Sequence, residues 1–345
     1  VNKVLLEYVW LDGYKTPNLR SKIKVINAHK DSGKPTGGWN GTAPDWNFDG
    51  SSTRQAPGDN SERILKPVRY YPYDKTNTHL IVLCEVFNPD GTPHESNYRA
   101  KLRENQDFAD GQAFWWGFEQ EYFLTKDRKP LGFPEGGYPG PQGLYYCGVG
   151  GNQVKGRKVV EEHLHKCLEM GIELTGINAE VAVGQWEFQC FGDDTLKACD
   201  DLWISRYLLY RIAESHGLDA DIRPKPVKGD WNGSGCHTNF SNGIMRAGNE
   251  KHFKQVLKSL ENRHFEHVDA YGEDNDQRLT GLHETQHISR FSWGVADRGA
   301  SIRVPADTAK KWTGYLEDRR PASNCDPYKV ANLIVEAVKV CNREK

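Results

Sequence analysis

No stretch of this chain comes near the roughly 20 consecutive apolar residues that a membrane-spanning helix needs. Neither charge sign is in excess: 45 Lys and Arg face 47 Asp and Glu, a formal net charge of −2. The first absence argues against helical insertion into a bilayer. The second leaves no electrostatic footprint for nucleic acid or an anionic lipid surface, so neither is expected as a partner. The opening VNKVLLEYVWLDG alternates like a strand and lacks the layout of a signal peptide. None of the eight cysteines forms a C-x-x-C pair. Reduced thiols and a cytoplasmic location are the simpler expectation. Internal repeats and low-complexity tracts are also missing.

What is present is an ordinary globular composition, 37% hydrophobic and 27% charged over 345 residues, enough for one large or two ordinary domains. The pattern predicts strands over 3–11 and 22–26, pairing as a hairpin. Residues 27–62 are rich in Gly, Pro, Ser, Asn and Asp, and a loop of that length in a compact chain is usually functional. A strand over 79–87, a turn at 88–93 and a helix over about 95–108 follow. Further on, helices are expected at 153–170, 194–216, 249–263 and 327–343, with strands at about 172–181, 185–191, 237–242, 300–304 and 315–319. The class is α+β: a small β domain over 1–90, then a larger mixed domain over 91–345.

The chemistry gathers around WWGFEQEYFL, residues 115–124. As a strand it places Trp116, Phe118, Tyr122 and Leu124 on one face and Glu119 and Glu121 on the other. Alone, such a pair reads as a solvated strand face. INAEVAVGQWEFQC adds Glu180 and Glu187, which a chain reversal at Val183–Gly184 would set opposite each other. Like charges across a ladder are unfavourable unless cations neutralise them. GSGCHTNF supplies His237, and YLEDRRP supplies Glu317 beside Arg319 and Arg320. Five carboxylates and one imidazole suit hard divalent cations such as Mg²⁺ or Mn²⁺. Two such ions nearly cancel five negative charges and leave room for nucleotide phosphates, which fits phosphoryl transfer. Arg278, Arg298, Arg303 and Arg319, all late in the chain, offer planar forks for carboxylate or phosphate. Two motifs are decoys. HETQH, residues 283–287, matches the H-E-x-x-H zinc pattern but lacks a helical context. GNQVKGRK, residues 151–158, has phosphate-loop glycine spacing without the Lys–Ser/Thr pair.

Taken in order, WNFDGSST, GFEQEY, GLYYCGVG, INAEV…GQWEFQ, GDWNGSGCHTNFS, RLTGLHET, ASIRVP and YLEDRRPASNCDPY resemble the signatures of glutamine synthetases of the shorter, eukaryotic-type class, over nearly the whole chain. The resemblance implies a small N-terminal β-grasp domain and a larger α/β catalytic domain of the glutamine synthetase/guanido kinase type. It implies ATP-dependent amidation of glutamate by ammonia through γ-glutamyl phosphate, with at least two Mg²⁺ or Mn²⁺ ions per active site. Glu121, Glu180 and Glu187 are then ligands of one ion, and Glu119, His237 and Glu317 of the other. Arg278, Arg298 and Arg319 would hold glutamate and the transferring phosphate, with Asn232, Gly233, Ser52 and Tyr146 as further substrate or ammonium contacts. Trp115, Asn239, Ser241, Arg298, Arg303 and Tyr315 match ATP positions. Glu284, inside the zinc decoy, resembles a flap residue that closes over the intermediate. Asp49 resembles the acid that takes a proton from ammonium, on a loop that the family supplies from the neighbouring subunit. The implied assembly is a homo-oligomeric ring with active sites between subunits, a decamer of two stacked pentamers.

Three other readings compete: a γ-glutamyl–amine ligase on the same fold, a zinc hydrolase built on HETQH, and a non-catalytic relative. Asp49 and Glu284 argue against the first, the non-helical context against the second, and the presence of all six presumed metal ligands against the third.

Overall fold

In a computed structural model, which describes residues 3–27, 41–134, 139–140 and 143–341, the alternation at the start of the chain becomes strand β1 (Lys3–Leu11). Val4, Leu6 and Tyr8 are fully buried on its inner face. β1 belongs to a compact unit of Val1–Arg103 and Glu169–Gly171. β2 (Leu19–Asn27), β3 (Trp46–Asp49), β4 (Glu62–Pro72) and β5 (His79–Phe87) complete its sheet in the order β2-β1-β5-β4-β3, and α1 (Tyr98–Arg103) follows. β1 and β5 run parallel, and the other pairs are antiparallel. The expected hairpin is β1–β2, with Lys3 opposite Asn27. Leu65, Leu80, Val82 and Val86 pack with the β1 side chains as one core. Buried Glu85 accepts from Arg99 at 2.8 Å and also pairs with Arg103.

The second unit holds Glu104–Leu168 and Ile172–Lys345. Its elements are α2 (Gln106–Gly111), β6 (Trp115–Lys126), β7 (Lys129–Pro130), α3 (Arg157–Glu169), β8 (Leu174–Ala179), β9 (Gln185–Gly192), α4 (Thr195–Ser215), β10 (Asp219–Asp221) and β11 (Cys236–Ser241). Then come α5 (Gly243–Ala247), α6 (Glu250–Asn262), α7 (His264–Ala270), β12 (Trp293–Val295), β13 (Ile302–Val304), α8 (Ala306–Lys311), β14 (Leu316–Asp318) and α9 (Pro327–Cys341). Among the described residues the sheet runs β12-β13-β14-β11-β6-β9-β8, with β7 and β10 also paired to β6. β6 is the spine, antiparallel to β11 on one side and β9 on the other. Trp116, Phe118, Tyr122 and Leu124 are at most 1% exposed on its back. The long helix α4 is capped by Asp194, whose side chain accepts from the Lys197 N–H at 2.6 Å. It backs the sheet: Trp116 Nε1 donates to Thr195 Oγ1 at 3.0 Å. No helix among the described residues is long and apolar enough to cross a membrane.

Several local expectations are corrected. The helix expected over 95–108 is two short ones, α1 and α2, separated at Asn105, whose φ of −100° and ψ of 3° lie outside the helical range and whose side chain donates instead to Asn332 Oδ1 at 2.8 Å. β4 was not expected at all. Pro67 lies in the run and a bulge falls between Pro67 and Arg69, which weakens the strand signal. The expected loop over 27–62 contains β3, while its residues 28–40 lie outside the described residues, as do 342–343 at the end of the expected last helix. Glu180 does not face Glu187. The reversal is centred one residue earlier: the Glu180 N–H donates to Gln185 O, so Asn178 is the residue opposite Glu187. Gly184 makes that turn at φ 79°, where a Cβ would fall 2.6 Å from Leu131 O.

Candidate active site

Strand register sets the site. On the front of β6, Glu121 lies opposite Glu187 of β9, and Glu119 lies opposite His237 of β11. One strand further, Glu317 of β14 pairs with Asn239 of β11 and Arg303 of β13. Glu180 joins from the turn after β8. The outcome is two triads, Glu121–Glu180–Glu187 and Glu119–His237–Glu317, each with one potential ligand atom per residue and all three within 4.8 Å of one another.

The first triad is under electrostatic tension. Burial pushes the Glu121 carboxyl up to about 7, although Arg278 pulls the other way. Burial and then the Glu121 charge push Glu180 to about 8 and Glu187 to about 9. Hydrogen bonds nonetheless orient all three carboxylates. Gly235 N–H donates to Glu121, Asn178 Nδ2 to Glu180 at 2.9 Å, and Gln189 Nε2 to Glu187. A Cβ at Gly235 would lie 2.5 Å from Arg278 Nη2 and 3.0 Å from His237 Nε2, so a larger residue there would displace two side chains of the site. Clustered oxygen donors whose charges repel one another, held in place by N–H donors, fit a hard divalent cation.

The second triad is already partly compensated. Glu317, only 1% exposed, accepts from Arg303 at 2.8 Å and Arg319 at 2.5 Å. Asn239 Nδ2 donates to Glu119 at 2.8 Å. His237 Nδ1 stands 3.4 Å from Glu119 and 3.5 Å from Glu317. Burial, and then the Arg319 charge, hold His237 well below its ordinary range, which keeps the imidazole neutral as a ligand must be. Two carboxylates and an imidazole fit Mg²⁺ or Mn²⁺.

Both triads open into a cavity of about 440 Å³ that is also lined by Tyr146, Asn232, Gly233, Arg278, Glu284, Arg298, Arg303 and Arg319. A second cavity of about 320 Å³ shares Glu119 with it and is lined by Trp115, Asn239, Ser241 and Tyr315. Its walls are mainly apolar and aromatic, including Phe191 and Phe240. Arg246 lies 4.0 Å over the Trp115 ring. Asp49 and Ser52 belong to the first unit. There the Asp49 carboxylate accepts from Ser51 Oγ at 2.6 Å and Ser52 Oγ at 2.7 Å, and these bonds, Ser51 first, hold it below the usual carboxylate range. Sequence reasoning missed Asn178 and Gln189, which orient ligands, and also Arg246. Asn178 and Gln189 each had a readable signal, an i, i+2 spacing from the glutamate they orient, Glu180 and Glu187. HETQH is not helical: His283 and Glu284 take left-handed φ values of 53° and 59°, so its two histidines do not share a helix face.

Comparison with known proteins bears on this arrangement. A family model described as glutamine synthetase, catalytic domain, matches residues 98–258. A glutamine synthetase from Bradyrhizobium diazoefficiens is 49% identical over 352 residues, spanning 100% of this chain and 99% of the relative. Glutamine synthetases from Emericella nidulans and Saccharomyces cerevisiae are 48% and 47% identical, each over 97% of this chain and over 92% and 89% of the relative.

Proposed function

The chain belongs to the glutamine synthetase family, and from that premise we propose how its residues carry out the reaction. The activity is that of a glutamate–ammonia ligase: L-glutamate, ATP and ammonia give L-glutamine, ADP and phosphate. The observation that carries the assignment of roles is the pair of triads fixed side by side by the β6 register. Glu121, Glu180 and Glu187 would hold one divalent cation and Glu119, His237 and Glu317 a second, Mg²⁺ or Mn²⁺, whose chemistry is to offset phosphate charge and clamp its oxygens.

The remaining steps belong to the chain. Trp115 and Tyr315 sandwich the base of ATP, Asn239 and Ser241 hydrogen-bond it, and Arg298 and Arg303 meet the phosphates. Asn232, Gly233, Tyr146, Arg278 and Arg319 orient glutamate so that its γ-carboxylate attacks the γ-phosphoryl group. Arginine forks take up the charge on the phosphoryl oxygens, and γ-glutamyl phosphate and ADP result. Ammonium binds at Asp49 and Ser52. Asp49, kept ionised by its serine bonds, accepts a proton, and ammonia attacks the acyl phosphate. Glu284 closes the site against water, which would otherwise hydrolyse the intermediate. In this proposal residues 1–90 form a β-grasp domain and 91–345 a catalytic domain of the guanido kinase type. The five-stranded sheet supports the first, although its compact unit runs on to Arg103. The enzyme works in the cytoplasm as a ring, a decamer of two stacked pentamers, with Asp49 supplied by a neighbouring subunit.

The test is an assay of phosphate and glutamine together, with glutamate, ATP, Mg²⁺ and ammonium. Asp49→Ala should keep part of the glutamate-dependent phosphoryl transfer yet lose glutamine formation by about 100-fold at low ammonium, in line with the loss of one general base. Full synthetase activity at low ammonium in that variant would remove Asp49 from the mechanism.

A further inference from the structure

Against residues 285–288 lies a hollow of about 10 Å³, room for about one water, lined by Leu279, Ile288 and Ala300 as well as by His264, Arg319 and Arg320. Two consecutive non-glycine residues, His283 and Glu284, adopt left-handed backbone, a conformation that persists only where the surroundings enforce it. Hydrogen bonds from several elements tie the segment down. Thr285 Oγ1 lies 2.8 Å from Leu282 O and 3.2 Å from Arg278 O, and Arg319 Nη2 reaches Glu284 O at a long 3.4 Å. Ile288 is held on both sides: its N–H donates to Leu279 O at 2.9 Å, and His264 Nε2 donates to its carbonyl at 2.8 Å.

His264 is itself fixed. It is 4% exposed at the start of α7, with its ring edge-on to Phe291. Its Nδ1 accepts from Arg320 Nη1 at 3.4 Å. Arg320 in turn grips Asp318, the neighbour of Glu317, through two bonds of 2.9 and 2.7 Å. One neutral tautomer, with the proton on Nε2, satisfies both imidazole contacts.

We infer that His264 is a positioning residue for the reaction: it ties the Glu284 segment to the rear of the strand that carries Glu317, and so sets how well the closed site excludes water. This rests on the reading of Glu284 given above. The test compares wild type, His264→Phe, which keeps a ring in the core, and His264→Gln, which returns an N–H near the Nε2 position. Phosphate and glutamine are counted in the same sample. Wild type should release about one phosphate per glutamine, and His264→Phe at least about twice that, through hydrolysis of unshielded acyl phosphate. The KM for ATP should stay within about twofold of wild type, because the nucleotide cavity is untouched. His264→Gln should bring the ratio back towards wild type. A ratio that stays near one in His264→Phe, whatever the loss of heat stability, overturns the inference alone. A wild type that makes no glutamine overturns the reading beneath it.

Discussion

Glu187→Gln should lower glutamine formation by about 100-fold or more and, in the absence of divalent metal, should make the protein more stable than wild type. The two effects have one cause. Glu187 is 7% exposed, and burial with the neighbouring Glu121 charge pushes its carboxyl up to about 9. A carboxyl whose pKa rises on folding weakens the fold progressively as pH climbs above its ordinary value of 4.5. At pH 7 that penalty is on the order of 1–3 kcal/mol, and the neutral amide removes it. Activity goes the opposite way, since the amide carries no charge to hold a cation. Urea melts in chelator and in Mn²⁺, beside the kinetic assay, check both: wild type should gain stability on adding Mn²⁺ and the variant much less. A variant that is less stable in chelator and gains as much from Mn²⁺ as wild type would make Glu187 a structural residue.

Arg206→Leu should destabilise the second unit by about 3–5 kcal/mol, the usual range for stripping a buried charge from its partners. Arg206 is fully buried behind β6. Its guanidinium donates to Gln120 Oε1 at 2.8 Å, Cys325 O at 2.7 Å and Ser323 O at 3.0 Å. Gln120 Nε2 then donates to Ser323 O and Oγ, and Ser323 Oγ to Glu121 O at 2.6 Å. The network therefore grips the backbone of the strand that carries Glu119 and Glu121. Leucine would take the donor from two buried acceptors, Gln120 Oε1 and Cys325 O, and one of two from Ser323 O. Denaturant unfolding monitored by tryptophan fluorescence measures the loss, and a change below about 1 kcal/mol would show that Arg206 is dispensable to the fold.

These two residues mark where the sequence was legible. Glu187 could be read because acids repeated on alternate positions of apolar strands are chemically conspicuous and demand an explanation. The long helices α3, α4, α6 and α9 were also legible, since the apolar period is sustained over several turns and the ends are marked by caps and glycines. Arg206 and Gln120 could not be read. A polar side chain on a buried face depends on a partner 86 residues away, and no local pattern encodes that distance. The register of β8 and β9 failed for a related reason. Whether Glu180 or Asn178 faces Glu187 turns on the exact length of the reversal at Gly184, which hydrophobic alternation does not fix. Pro67 hides β4, and the apparent zinc motif, non-helical by its context, contains consecutive left-handed residues.

The central claim, that two neighbouring triads each hold a divalent cation, is tested most directly by counting Mn²⁺ on the purified chain by equilibrium binding with paramagnetic resonance readout. At least two tight sites per chain are expected for wild type, and one fewer for Glu187→Gln, with the Glu119–His237–Glu317 site retained. The same number of sites in both proteins, or fewer than two in wild type, would contradict it.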